Sequence, residues 1–144
     1  MINDSLTKFF QKKSKSVPIW FLRQSGRHIP EYFEIRKKEV DFIKLCLNKD
    51  LVIESTKLPL KYYNLDAAIV FSDILMIPWA MNRNVKFLQN FGPTLDPMIP
   101  DETKINKNIN ISAKLEPLKN SITYLRNFLP KNVSLIGFAG APWT

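Results

Sequence analysis

Three short apolar runs set the folding problem for this chain: residues 17–22 (VPIWFL), 65–71 (LDAAIVF) and 133–138 (VSLIGF). Each is of strand length and bounded by polar residues. A run of that kind suits a strand covered on both faces, because a strand with one wet face would alternate. Between the runs lie segments with helical signals. Pro30 suits the first turn of a helix over residues 31–38. A second helical region spans residues 41–63, with Asn48 as an internal cap and Leu51, Ser55, Leu58 and Tyr62 on one face. Pro59 interrupts it by removing an amide donor. Leu115, Leu118, Ile122, Leu125 and Leu129 recur at helical spacing, and Pro130 ends that helix. Residues 82–100 are dense in Asn, Gly and Pro and read as loop and hairpin, with 85–87 a short strand, while 101–114 read as a surface connection. Buried strands alternating with helices predict an α/β fold with parallel pairing.

The length of 144 residues predicts one domain, 1–144, with residues 1–16 as an N-terminal helix region. There Asp4 and Ser5 make an N-cap before Leu6, Phe9 and Phe10 at i, i+3, i+4. The serines and lysines of that start also suit an organelle transit peptide, but the capping pattern favours a docking helix in a cytoplasmic protein. No apolar run approaches the roughly 18 residues of a membrane span. The formal charge of +8, from 21 basic and 13 acidic residues, favours an anionic partner, although dispersed lysines also make an ordinary solvated surface. Cys46 is the only cysteine and His28 the only histidine, so neither a disulfide framework nor a metal-ligand spacing is present.

The chemistry concentrates just past the first two runs. FLRQSGRHIPEY, residues 21–32, places Arg23 and Arg27 around Gln24, Ser25 and Gly26. Asp73 follows the second run. In α/β sheets and βα barrels ligands bind at this carboxyl edge. Paired arginines are suited to bidentate recognition of carboxylates, and glycine lets a backbone approach closely.

PIWFLRQSGRHIPEY, LDAAIVFSDILMIPWAM at 65–81 and GFAGAPWT at 137–144 together resemble three sequence blocks of the uroporphyrinogen decarboxylase family, in the family's order. The resemblance implies a TIM (β/α)8 barrel of which this chain is the N-terminal portion, incomplete at 144 residues and inactive as a fragment. It implies decarboxylation of the four acetate side chains of uroporphyrinogen III to coproporphyrinogen III, in porphyrin and haem biosynthesis. It further implies no cofactor, no metal, no nucleic-acid or membrane partner, and a homodimer when complete. Residue by residue, Arg23, Gln24, Ser25, Gly26, Arg27 and Arg36 match substrate-binding positions. Asp73 matches the family's central aspartate, which binds substrate and stabilises the transition state. Read without that context, a lone FSD is equally an aspartate capping the next helix.

The chain departs from the family pattern at Ser25 for Ala and at His28 for Tyr, and at Asn82 and Asn90 where Gly is usual. Asn tolerates positive φ best after Gly, so those turns are expected to persist. His28 reads as a packing or hydrogen-bonding substitute rather than a general acid. Two other readings compete. A corrinoid or thiol methyltransferase of the same superfamily has no need of a double-arginine clamp. A basic nucleic-acid-binding module needs aromatics interleaved with its basic residues, whereas here the aromatics sit in apolar runs.

Overall fold

A computed structural model describes residues 4–22, 24–88, 92–97 and 109–140. Arg23, Asn90 and the end of the third block, 141–144, lie outside the described residues.

The second and third apolar runs form strands and pair. β1 (Ala67–Ile69) lies parallel to β4 (Ser134–Ile136), in the register Ala67↔Ser134, Ala68↔Leu135, Ile69↔Ile136. Ser134 N donates to Asp66 O at 2.8 Å and Val70 N to Ile136 O at 2.9 Å, extending the ladder at both ends. The crossover between them carries α5 (Met76–Ala80), an antiparallel hairpin of β2 (Val85–Leu88) and β3 (Gly92–Leu95), α6 (Ile111–Lys114) and α7 (Glu116–Phe128). This is the parallel α/β arrangement that the alternating pattern predicts. Among the described residues no helix is long and apolar enough to cross a membrane.

Side-chain caps decide where the helices break. α2 (Pro30–Lys38) opens on Pro30, whose missing N–H is no loss in a first turn. α3 (Phe42–Leu47) and α4 (Lys49–Lys57) are separated at Asn48, whose side chain accepts from Asp50 N and Leu51 N. Pro59 converts the chain beyond α4 into a 3-10 turn over Leu58–Lys61. That tighter pitch carries Tyr62 off the buried face, and it stands 50% exposed while Ser55 and Leu58 remain buried. The core follows the predicted stripes elsewhere. Leu51 and Leu58 pack with Ile29, Ile35 and Leu45, and Leu125 and Leu129 pack with Ala68 and Val133. Ile122 is turned outward instead, and residues 111–114 form α6 rather than a plain connection. Asn82 does adopt positive φ, at 64°.

The first apolar run departs most from expectation. Residues 17–22 form no strand, and Val17 and Leu22 are 68% and 82% exposed. Their link to the sheet is at Ile19, whose N donates to Asp66 Oδ2 at 2.8 Å and whose O accepts from Asp66 N at 2.9 Å. Pro18 offers no donor, and among the described residues no strand covers the outer side of the run.

α1 (Ser5–Phe10) is clasped to the start of β4. Asp4 Oδ1 accepts from Thr7 N at 2.9 Å and from Ser134 Oγ at 2.7 Å, and Arg126 Nη2 lies 3.6 Å from Asp4 Oδ2. Burial alone would raise the Asp4 carboxyl, but the Thr7 and Ser134 hydrogen bonds and the Arg126 charge together hold it below its ordinary 3.8. A depressed carboxyl stabilises the fold above its unfolded pKa, so this contribution is complete above pH 3.8 and fades as pH falls below it. Asp4→Ala is expected to destabilise the chain by about 1 kcal/mol in urea unfolding at pH 7, and the difference should vanish at low pH.

Candidate active site

Gln24 ties the arginine-bearing loop to the sheet. Its side chain is 5% exposed, and its amide bridges the edge of β1 away from β4. Nε2 donates to Ala67 O at 2.6 Å, and Oε1 accepts from Ile69 N at 3.0 Å. Both ends of the amide that the sequence reading offers to substrate are thus engaged by the strand. The loop then turns through Gly26 O, which accepts from Ile29 N at 3.0 Å. Among the described residues nothing requires glycine at 26: a Cβ would stand 3.6 Å from His28 Nδ1, an ordinary contact. The Ser25 Oγ is buried without a hydrogen-bond partner. Arg27 and His28 face solvent, and the His28 ring lies 6.3 Å from that of Tyr63.

Arg36 comes from the last turn of α2. Its Nη2 donates to Val40 O at 2.9 Å, its guanidinium lies 5.2 Å from the Phe42 ring centroid, and its Nη1 is buried without a partner. Tyr32, one turn earlier, is half-buried with its ring 6.0 Å from that of Phe71. Burial pushes its phenol up, while the Arg36 and Arg27 guanidiniums pull it back. Asp73 stands half-buried in the turn after β1. Its Oδ1 accepts from Leu75 N at 2.8 Å and its O accepts from Met76 N at 3.2 Å, closing the turn before α5, whose N-cap is Leu75 with no side-chain cap bond. Its Oδ2 makes no hydrogen bond among the described residues, leaving one carboxylate oxygen for other work.

Cys46 reports how these charges are arranged. Burial is the main cause that pushes its thiol up to about 12; the Asp73 carboxylate adds to the rise, and Arg36 opposes it. Arg36 and Asp73 thus act with opposite sign on one buried sulfur. A thiol held so high is protonated and inert at neutral pH. Cys46 is expected to leave Ellman's reagent untouched in the native chain and to react fully in urea; fast native reaction would contradict its burial.

Thr56 had no sequence signal beyond its place on an apolar-flanked helix. It is 1% exposed, donates to Val52 O at 2.7 Å and accepts from Phe71 N at 2.9 Å. A cavity of about 290 Å³ borders the loop at Phe21, Gln24, His28, Tyr63 and Leu65. A larger one, about 580 Å³, lies on the far edge of β4 between α1 and α7 and touches none of the candidate residues. Size does not mark the site here.

The fold is that of an α/β protein with Asp73 in the turn beyond the carboxyl end of a parallel strand and Gln24 bound along that strand's edge. The profile of the family described as uroporphyrinogen decarboxylase (URO-D) matches residues 2–144, and the chain belongs to that family. It is 44% identical to the uroporphyrinogen decarboxylase of Brucella anthropi over 127 residues, which cover 88% of this chain and 37% of that protein. The Brucella ovis and Brucella canis proteins of the same name are 42% identical over the same shares. The chain thus spans little more than a third of the length of these curated relatives.

Proposed function

We propose that these residues furnish the carboxylate-binding loop and the aspartate of a uroporphyrinogen decarboxylase. The observation that carries the reading is the Gln24 bridge, which fixes the loop holding Arg27 against the strand that leads to Asp73. The substrate carries eight carboxylates, and arginine forks suit them. Arg23, Arg27 and Arg36 bind these groups, and Ser25 Oγ and the backbone at Gly26 supply further donors. The Asp73 carboxylate accepts hydrogen bonds from the pyrrole N–H groups. When a pyrrole α-carbon is protonated, the ring becomes cationic and takes up the electron pair of the breaking C–CO₂ bond. A proton then adds to the exocyclic carbon and the α-carbon gives up the proton it had gained, restoring the pyrrole and leaving a methyl group in place of each carbon dioxide lost. Asp73 places fixed negative charge where positive charge develops, so no cofactor is needed. The same reading has these residues opening a barrel closed by further strands, in a cytoplasmic homodimer.

Titrating the chain with uroporphyrinogen I, kept reduced under argon, tests the reading. Tryptophan quenching should report binding that weakens as salt rises, since the recognition is ionic. Arg27→Ala should weaken it roughly 10-fold, the scale of a charge-assisted hydrogen bond. Binding of random duplex DNA with no response to uroporphyrinogen would contradict it.

A further inference from the structure

We propose that Thr56 is a positioning residue for Asp73, setting the height of the aspartate above the end of β1; the inference rests on the role proposed for Asp73. Successive residues of a strand direct their backbone groups to opposite edges, so donors two residues apart share an edge. Val70 N faces β4, donating to Ile136 O at 2.9 Å. Ile69 N and Phe71 N face the other way, where no described strand lies. Two side chains fill that edge instead. Gln24 Oε1 takes Ile69 N at 3.0 Å, and Thr56 Oγ1 takes Phe71 N at 2.9 Å.

The Thr56 hydroxyl cannot swing freely. Its one proton goes to Val52 O at 2.7 Å, which leaves its lone pairs facing the Phe71 N–H. A helical threonine bonding back to residue i−4 is ordinary and slightly unfavourable for the helix. The second bond, to another element, is what such a threonine gains here. α4 itself is fixed by the Asn48 cap and by buried Leu51 and Val52. The Phe71 ring is held as well, with centroids 6.0 Å from Tyr32 on α2 and 5.8 Å from Phe42 on α3. Phe71 is thus pinned by its amide and its ring. Asp73 follows two residues later and caps its own turn through Leu75 N. A shift at Phe71 moves the carboxylate.

The test compares the full chain with Thr56→Val, which keeps shape and removes the hydroxyl, and with Thr56→Ser, which keeps the hydroxyl. In hydrogen exchange by mass spectrometry, Thr56→Val should raise exchange over residues 70–76 about 10-fold, as expected when one buried bond is lost. Exchange over residues 134–136 should stay at the wild-type rate, and Thr56→Ser should restore protection. Binding of uroporphyrinogen I supplies the second readout. Thr56→Val should weaken it about 5- to 10-fold when Asp73 is present and less than about twofold in an Asp73→Asn background, because a residue acting through another loses its effect when that other is disabled. Should Thr56→Val fail to give the native circular dichroism spectrum, Thr56→Ala serves in both measurements. Exchange unchanged, or raised over residues 134–136 as well, overturns the proposal, as does a binding loss that persists undiminished without Asp73. If the exchange pattern holds and wild-type chain ignores uroporphyrinogen I, the positioning stands and the proposed function has failed.

Discussion

Asp73→Asn, placed in a decarboxylase made by joining these residues to the remainder of the Brucella anthropi relative, is expected to lower turnover about 10²- to 10³-fold, the usual effect of losing one preorganised electrostatic group. The amide keeps an acceptor for Leu75 N, so the turn before α5 survives. What disappears is the negative charge opposite a pyrrole that becomes cationic in the transition state. KM should rise about 5- to 10-fold, much less than kcat falls, because in the proposed site Asp73 holds the pyrrole N–H groups while the arginines hold the carboxylates. Full turnover in Asp73→Asn would remove the electrostatic role.

The second large effect concerns residues 1–144 by themselves. They are expected to bind uroporphyrinogen weakly, in a salt-sensitive way, and to release no carbon dioxide above background. The described sheet has one parallel pair, β1 with β4, and no described strand pairs with either outer edge. Ile19, Phe21 and Leu22 stand 57%, 59% and 82% exposed, an apolar strip that no described strand covers. A site walled on one side admits water, which weakens every charge interaction inside it. Carbon dioxide release measured manometrically, with the joined enzyme as the positive control, checks this. Turnover by residues 1–144 alone at the joined enzyme's rate would contradict it.

The residues differ in how plainly they announced their place. Asn48, Pro59 and Asp4 act locally, through caps and a missing donor within a few positions, and their effects were legible in the sequence. β1 and β4 were legible because an unbroken apolar run suits a strand covered on both faces, wherever its partner lies. Residues 17–22 have the same composition and yet form no strand. A strand depends on its neighbours, and composition does not say whether they are there. Tyr62 was misplaced because a helical face was continued through a proline. At the candidate site, the paired arginines Arg23 and Arg27 pointed to carboxylate chemistry, whereas Arg36 and the role of Asp73 came from the family resemblance. The side-chain bonds of Gln24 and Thr56 to a strand more than a dozen residues away in sequence could not be read from spacing.

The most direct measurement is the product formed by the joined enzyme. Uroporphyrinogen III, incubated under argon, then oxidised and separated by chromatography, should appear as coproporphyrin, with four carboxyl groups gone and turnover unchanged by exhaustive chelation. A joined enzyme that folds and binds uroporphyrinogen but returns it with all eight carboxylates, or one whose activity is lost on chelation and recovered with zinc, would contradict the account.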